Sequence, residues 1–356
     1  MHAAYYSWFD PDRTPEPVPW DLGDAAAAPV ANGRFFAEVL RGVEERLVAA
    51  DPAAAEGLRG VRVVITPNHW QLPWTGPGVV ALLVLDNWSR VPRWADEVGL
   101  VLATNRDRAW RDAVGMLPRP LGALELLDEA RVRAERRLWR RRAGTRPSGR
   151  NVVALPLGYA HQREVPLVPW EERDVDVYFA GSASHGLDKG GALRRAVRRH
   201  VGNIKTIHRT RMSESVEHLR AALPELRVRI DLVDGDRAAD HADTYSRDMA
   251  RARFCLDPRG TSRETWRYYE AVRSGTVPVV TSLPNGGLYA GAPAVRLRHW
   301  SQLTSAMRHY AAHPEEARAL HEECLRWYAT VGGPEATAQR LVPHFQRVLT
   351  GLPGGR

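Results

Sequence analysis

Side chains that suit the binding of a phosphorylated ligand are concentrated between residues 258 and 270. Guanidinium groups make bidentate contacts with phosphate, and hydroxyl groups donate hydrogen bonds to the same oxygens. Glu270 follows about two helical turns later, and its carboxylate can accept hydrogen bonds from ribose hydroxyls. The sequence therefore predicts a nucleotide site; the alternative is that these groups only cap and solvate a surface helix. The predicted diphosphate-binding residues of this segment are Arg259, Gly260, Thr261, Ser262 and Arg263.

A strand, a loop, a helix and a second strand are predicted around these residues. The apolar run Phe254–Leu256 is typical of a buried parallel strand, and proline and glycine then end it in a tight loop. Thr261 and Glu264 have the spacing of a capping box, which predicts a helix that begins at Thr261, and Thr276–Thr281 is predicted as the next strand. Such a βαβ unit places the helix N-terminus at the carboxyl edge of a parallel sheet, where free N–H groups and the helix dipole bind anions.

Two more segments of the second half are predicted to contribute to the same site. A predicted buried strand leads into a loop where the backbone of Gly181 and Ser182 can approach a ligand closely. Arg209 and Arg211 lie in a cationic segment just before a helix predicted over Ser213–Leu223. Because cations are unfavourable at a helix N-terminus, an anion is a reasonable partner for them. The alternative is exposed loop charge.

The first half contains three predicted strands that each end in polar residues, namely Val61–Thr66, Val79–Leu85 and Val98–Ala103. Open α/β sheets bind ligands at that edge. Trp70 and Trp88 lie close to two of these strand ends. They predict either an aromatic platform for a sugar or apolar acceptor, or simply tryptophans that fill the core.

The chain length predicts two domains, because 356 residues exceed the roughly 250–300 that one hydrophobic core usually supports. Strand and helix patterns alternate in both halves, and Pro166–Arg173 has the proline-rich, charged composition of a linker. The predicted fold class is therefore α/β. The predicted division is a Rossmann-like domain over residues 1–165, a second over 166–330, and a C-terminal helix in 331–356 for which packing back on the first domain is one option.

The net charge of +8 is carried almost wholly by arginine, since Lys189 and Lys205 are the only lysines. This charge permits a nucleic acid, a phosphorylated ligand or an anionic membrane surface as partner. Five arginines between Arg136 and Arg142 predict either a basic patch or a solvated helix face. The two cysteines form no ligand cluster. With no run of about 20 apolar residues and no signal-peptide pattern, we expect a cytoplasmic protein without an integral membrane segment.

The segment FCLDPRGTSRETWRYYEAVRSGTVPVV is similar to the exostosin-like glycosyltransferases of the GT-B superfamily. The family pattern there is an apolar strand, Pro-Arg-Gly, Ser or Thr, an aromatic-Glu/Asp-Ala triplet and Gly-x-x-Pro-Val. The stretch VYFAGSASH also resembles the first strand of the family's donor domain. The resemblance implies a GT-B fold, in which two Rossmann-like domains have parallel sheets that face a central cleft. The matching positions are Pro258, Arg259, Gly260, Ser262, Glu270, Ala271, Gly275, Pro278 and Val279.

The same resemblance implies transfer of a sugar from a nucleotide-sugar, held by the second domain, to a hydroxyl of a small-molecule or glycan acceptor held by the first. Enzymes of this family mostly invert configuration, which implies a catalytic base in the first domain. Asp86 is the first candidate because it follows a strong predicted strand, and His69 and Asp10 come next. The motif Asp234-Gly235-Asp236 is typical of a turn rather than of a metal site. We therefore expect no metal and no other cofactor at the donor site.

Two other functions remain open from the sequence. The first is a basic protein that binds nucleic acid or an anionic membrane, and the second is a GT-B fold without turnover that acts as a partner subunit. The glycosyltransferase hypothesis itself requires no nucleic-acid partner and leaves peripheral membrane contact open.

Overall fold

The fold is described from a computed structural model of the chain, which describes residues 2–9, 15–24, 28–84, 90–105, 122–143, 148–160, 162–181, 204–232 and 242–352. The chain forms two compact units. The first comprises residues 1–108, 129–160 and 329–356, and the second comprises 109–128 and 161–328. Each unit is built around its own β-sheet.

The sheet of the first unit has six strands in the order β2-β1-β3-β4-β5-β6. All neighbours are parallel except β1 and the edge strand β2, which pair antiparallel. Three of these strands were predicted by their continuous apolar runs, which are typical of strands covered on both faces. The strands are β1 Ala4–Ser7, β2 Val18–Pro19, β3 Arg62–Thr66, β4 Gly76–Leu83, β5 Val98–Ala103 and β6 Val152–Ala154.

Helix α1, Gly33–Ala50, buries an apolar face in the first unit. Its buried Glu44 accepts hydrogen bonds from the backbone N–H of Ala3 and from the hydroxyl of Tyr5, which ties the helix to β1. The C-terminal helix Pro334–Thr350 packs along α1 within the same unit, because both helices present apolar residues at helical spacing.

The sheet of the second unit has five strands in the order β11-β10-β9-β7-β8, and every neighbouring pair is parallel. All carboxyl ends therefore lie at one edge of this sheet. Residues of β7 and β9 are almost completely buried, as their apolar sequences predict. The strands are β7 Val175–Gly181, β8 Val228–Leu232, β9 Ala252–Asp257, β10 Val277–Val280 and β11 Val295–Arg296.

Helices and short turns connect the strands and cover the sheets in both units. Short 3₁₀ turns occur at Ala95–Glu97, Trp170–Glu172, Gly287–Tyr289 and Trp300–Gln302, and a π-helical turn at Tyr328–Gly332. The helices after α1 are α2 Ala54–Leu58, α3 Gly122–Ala143, α4 Ile204–Ala222, α5 Ala242–Arg251, α6 Trp266–Arg273, α7 Leu303–Ala312, α8 Pro314–Trp327 and α9 Pro334–Thr350.

The arginine run of the sequence lies on α3, as its helical pattern predicted. Arg137, Arg141 and Arg142 are exposed on that helix. Within the described ranges, no helix has the length and apolar character that a membrane crossing requires. Cys255 and Cys324 are both buried free thiols, and burial raises their pKa values above the ordinary range.

Candidate functional site

The exit of β9 holds a buried carboxylate against the start of the next helix. Asp257 ends the strand, and its two carboxylate oxygens accept from the hydroxyl of Thr265 at 2.7 and 2.8 Å. The Thr265 hydroxyl oxygen also accepts from the backbone N–H of Tyr268 at 3.1 Å, which makes Thr265 the N-cap of α6. Burial raises the pKa of Asp257 to about 6, although Arg267 and the Thr265 hydrogen bond act in the opposite direction.

The predicted capping box of Thr261 and Glu264 is wrong. The helix begins at Trp266, because Thr265 has the extended backbone and the cap hydrogen bond of an N-cap residue. Residues 261–265 form a loop instead, in which the hydroxyl of Ser262 donates to the backbone carbonyl of Glu264 at 2.6 Å. Both threonines are acceptable N-caps in local terms, and the contact with Asp257 favours the second.

Arg267 occupies the centre of this edge of the sheet. Its Nη2 donates to the backbone carbonyl of Ala180 at 2.6 Å, Nη1 lies 3.8 Å from a carboxylate oxygen of Asp257, and the guanidinium covers the ring of Phe179 at 4.6 Å. Burial acts to lower the pKa of Arg267, but nearby groups that include Tyr245 and Asp257 raise it above its ordinary value. The guanidinium therefore stays charged and is held in place by both β7 and β9.

Gly181 leaves the space that Arg267 fills. A Cβ built on Gly181 would lie 2.6 Å from Nη2 of Arg267, and the glycine has a φ of +153°. The sequence predicted that a ligand approaches the backbone closely at Gly181. In the structure, the close approach is made by a side chain of the protein itself.

Two further cations reach the same group of residues from α4. Burial, together with the charges of Arg209 and Arg267, lowers the pKa of Lys205 to about 8. Burial and the charge of Arg267 likewise lower the pKa of Arg209 to about 10. Because these charges act on one another, the three positive groups lie within electrostatic range of one another. His208, on the same helix, contacts the hydroxyl of Thr281 at 3.2 Å, which places this part of α4 beside the exit of β10.

The cationic segment is helical, which corrects the prediction of a loop that ends before residue 213. Helix α4 begins at Ile204, so these cations lie in its first two turns. Helical geometry then separates them by face. Arg209 is partly buried, whereas Arg211 is exposed and pairs with Glu214 at 3.0 Å. Of the two arginines that the sequence assigned to the donor, Arg209 is the one with electrostatic contact to Arg267.

The loop after β9 carries the other predicted phosphate-binding residues. Arg259, Ser262 and Arg263 are buried, Gly260 is partly buried, and Thr261 is exposed. The two arginine side chains therefore belong to the interior of the second unit rather than to a solvated surface.

Glu270 is buried on the first two turns of α6, with 2% of its surface exposed. The hydroxyl of Tyr245 donates to Glu270 Oε2 at 2.5 Å, and burial, followed by the charge of Glu270, raises the pKa of Tyr245. Gln162 donates from Nε2 to the backbone carbonyl of Glu270 at 3.0 Å and also to the hydroxyl of Ser274. The carboxylate predicted to hold ribose is therefore fixed by α5.

Asp257, Thr265 and Arg267 were not predicted as site residues from the sequence. Two signals were present: an arginine in the first turn of a helix opposes the helix dipole, and a carboxylate at the end of a buried strand needs a partner. Neither signal identifies the other residue, because the sequence does not show that the end of β9 and the first turn of α6 meet across the loop between them.

The base candidates of the first unit lie only partly within the described residues. Asp10 and Asp86 fall outside them, as does Ser182 of the donor set. His69 is 5% exposed, and its Nδ1 lies 2.9 Å from the backbone carbonyl of Pro67. Because a carbonyl oxygen only accepts, Nδ1 is the donor and Nε2 carries the lone pair in the neutral ring.

Trp70 is presented to solvent by a hydrogen-bonded turn at the carboxyl end of β3. The side chain of Asn68 accepts from the backbone N–H groups of Trp70 and Gln71 at 2.8 and 3.2 Å. The Trp70 ring contacts Trp139 with a centroid separation of 4.2 Å, yet 48% of Trp70 remains exposed. The side chain of Trp94 donates to the Asn68 carbonyl at 3.2 Å and anchors the turn to the core.

These observations define the class of the protein: it is α/β, with two parallel-dominated sheets of the GT-B type, and a cationic group lies at the carboxyl edge of the second sheet. The family model of the Exostosin GT47 domain matches residues 137–288. This part of the chain is therefore similar to the exostosin-like glycosyltransferases, and the match includes Gly181, Arg209, Asp257, Arg267 and Glu270. A search of curated proteins gives no significant match.

Proposed function

We propose that this chain transfers a sugar from a nucleotide-sugar to an acceptor hydroxyl and binds the donor diphosphate at the carboxyl edge of the second sheet. The observation that carries the proposal is the gathering of Lys205, Arg209 and Arg267 at that edge. Partly buried like charges repel one another, and a bound polyanion relieves that repulsion. A diphosphate has the charge and the oxygen geometry for this role, because guanidinium groups contact phosphate oxygens in pairs.

The same cations have a catalytic use in glycosyl transfer. The bond between the anomeric carbon and the diphosphate oxygen breaks while the acceptor oxygen bonds to that carbon, and negative charge develops on the departing diphosphate. Fixed positive groups stabilise this charge without reorganisation during the reaction. We propose on this basis that the donor site works without a metal ion.

Glu270 is proposed to hold the ribose. A carboxylate can accept several hydrogen bonds at once, so a ribose hydroxyl can donate to Glu270 as Tyr245 does. The contact with Tyr245 fixes the carboxylate before the ligand arrives, which reduces the entropy lost on binding.

The base is proposed to come from the first unit and to give inversion at the anomeric carbon. It takes the proton of the acceptor hydroxyl as that oxygen attacks. Asp86 remains the first candidate, followed by His69 and Asp10. His69 has the tautomer that a base needs, since Nε2 carries the lone pair.

The proposed function is tested by thermal shift with UDP, GDP and dTDP and with their sugars, on the wild-type chain and on Arg267→Gln. At least one nucleotide should stabilise the wild type, and the substitution should remove that stabilisation. No response to any nucleotide would contradict the proposal. Binding without donor hydrolysis or transfer across an acceptor panel would favour the non-catalytic GT-B alternative. Steeply salt-dependent binding to DNA or anionic liposomes, abolished by charge reversal at Arg137, Arg141 and Arg142, would favour the basic binding protein.

A further inference from the structure

Two histidines and one glutamate meet at the corner between α7 and α8, on elements that the proposed reaction does not use. His309 lies near the end of α7, His313 is the residue between the two helices, and Glu316 lies in the first turn of α8. One ligand atom from each of these residues lies within 4.8 Å of the others, and all three residues are exposed. The corner is therefore open to an ion from solvent.

The turn at the corner is set by the residues that form it. His313 has a φ of −129° and a ψ of 67°, outside the helical region, and Pro314 follows it at the first position of α8. Proline disfavours helical backbone in the residue before it, so the chain must turn at His313. This turn brings the first turn of α8 back toward the last turn of α7.

The hydrogen bonds of the corner prepare the imidazole of His313 for a metal. Its Nδ1 lies 2.9 Å from the backbone carbonyl of His309. Because the carbonyl can only accept, Nδ1 carries the proton and Nε2 presents its lone pair. Histidines that bind metals commonly donate their second ring N–H to a carbonyl in this way, which fixes both the tautomer and the ring orientation.

The other two groups already lie in direct contact with each other. His309 Nε2 lies 2.8 Å from Glu316 Oε2, and the rings of His309 and His313 stack with centroids 4.4 Å apart and an interplanar angle of 27°. Ligands of tetrahedral zinc are about 3.3 Å apart when each bond is about 2.05 Å long. Small rotations of exposed side chains therefore suffice to close the three groups around one ion.

We propose that His309, His313 and Glu316 form a binding site for a divalent transition metal of the zinc class. Two imidazoles and one carboxylate favour zinc, nickel or copper over magnesium or calcium, which prefer oxygen ligands. Three protein ligands leave a further position for water. Because the ligands come from both helices and from the residue between them, the ion ties the corner together and stabilises the folded chain. This site is separate from the donor site, so its test does not depend on the proposed reaction.

The test uses full-length protein without a histidine tag, stripped of metal with EDTA and exchanged into chelator-free buffer. Zn²⁺ is titrated by calorimetry, and Co²⁺ is titrated by visible absorption, which reports the ligand field. We expect one Zn²⁺ per chain and a rise in Tm on its addition. His313→Asn and Glu316→Gln should each weaken binding at least tenfold and remove the rise in Tm.

The chain offers matched control substitutions for both ligands. Glu315 is the exposed glutamate next to Glu316, and His218 is an exposed histidine on α4. Glu315→Gln and His218→Asn should leave the stoichiometry, affinity and Co²⁺ spectrum unchanged. Circular dichroism of all four variants checks that the fold is retained. The proposal is overturned if the wild type does not bind Zn²⁺ at micromolar concentration, or if His313→Asn and Glu316→Gln bind it as tightly as the controls.

Discussion

Gly181 and Arg267 fill adjoining space at the end of β7: a Cβ on the glycine would lie 2.6 Å from Nη2 of the arginine. The same Nη2 donates to the carbonyl of Ala180 at 2.6 Å. The absence of a side chain at residue 181 is thus what allows a guanidinium from the first turn of α6 to reach across the edge of the sheet. In the proposed reaction, this contact places one of the three cations that bind the donor diphosphate.

Substitution of Gly181 by alanine should weaken nucleotide binding and lower stability by about 1–3 kcal/mol. The new methyl group strains a backbone with a φ of +153° and displaces Arg267. Urea unfolding and a nucleotide thermal shift measure the two effects. Gly291→Ala is the matched control, because Gly291 has a φ of +71° but no atom within 4 Å of a built Cβ. Gly291→Ala should lose stability through strain and keep nucleotide binding. An equal loss of binding in both variants would show that Gly181 has no specific role at the nucleotide site.

Replacement of Arg267 by lysine should weaken donor binding at least tenfold although the charge is kept. An ammonium group cannot span the carbonyl of Ala180 and the carboxylate of Asp257 as the planar guanidinium does. Isothermal titration with the stabilising nucleotide measures the effect. Arg211→Lys is the comparison, since Arg211 is exposed and pairs with Glu214. We expect Arg211→Lys to bind the nucleotide like the wild type. An equal loss of affinity in this variant would indicate that Arg211 also contacts the donor.

Glu270→Gln should weaken nucleotide binding by about tenfold or more, the effect of losing a hydrogen bond to a charged acceptor. The amide oxygen can still accept from Tyr245, so the fold should be kept. Tyr245→Phe removes the 2.5 Å hydrogen bond but leaves the carboxylate in place, and its loss of affinity should be smaller. Comparing the affinity of a ribonucleoside diphosphate with that of its 2′-deoxy form shows whether the ribose hydroxyls account for the loss of affinity. Equal binding of both forms by the wild type would contradict a ribose role for Glu270.

Asp257→Asn should change the pH dependence of stability in a defined direction. Burial raises the pKa of Asp257 to about 6, above the value near 3.9 of an unfolded chain. Between about pH 4 and pH 6 the folded protein holds a proton that the unfolded chain releases, so this group's contribution to stability falls as pH rises through that window. Across the whole window, the contribution of Asp257 to the free energy of unfolding falls by about 3 kcal/mol.

Urea unfolding of the wild type and Asp257→Asn at several pH values between 4 and 7 measures this contribution. The asparagine variant should become more stable relative to the wild type as pH rises through the window. Asp96→Asn is a control of opposite sign, because the backbone N–H of Ser148 lowers the pKa of Asp96. A parallel pH dependence of the wild type and Asp257→Asn would show that the Asp257 carboxyl has no raised pKa.

Trp70→Ala should raise the KM for a sugar acceptor roughly threefold to tenfold, the size of one aromatic stacking contact. Stability should change by no more than about 0.5 kcal/mol, because the ring is 48% exposed and the turn is held by Asn68. Steady-state kinetics with varied acceptor measure KM. Trp70→Phe should recover part of the affinity. The KM for the donor should not change in either variant. An unchanged acceptor KM in Trp70→Ala would show that the ring does not bind the acceptor.

The sequence by itself determined the α/β class and most of the elements, because buried parallel strands require continuous apolar runs and amphipathic helices require a repeat of 3.6 residues. It also identified the segment around Glu270 and the exostosin-like match. It misplaced the start of α6, because Thr261 and Thr265 are both acceptable N-caps in local terms, and it ended the cationic segment before the helix that contains it.

Only the tertiary structure decided which charged residues meet. Lys205, Arg209 and Arg267 come from two helices separated by strands β8 and β9, and helical phase turns Arg211 away from them. Asp257 selects Thr265 as the cap through a contact across a loop. Local propensity and spacing describe neighbours along the chain, whereas burial and charge act through space. For this reason the contact between Gly181 and Arg267 depends on the tertiary arrangement of β7 and α6 and not on their sequences alone.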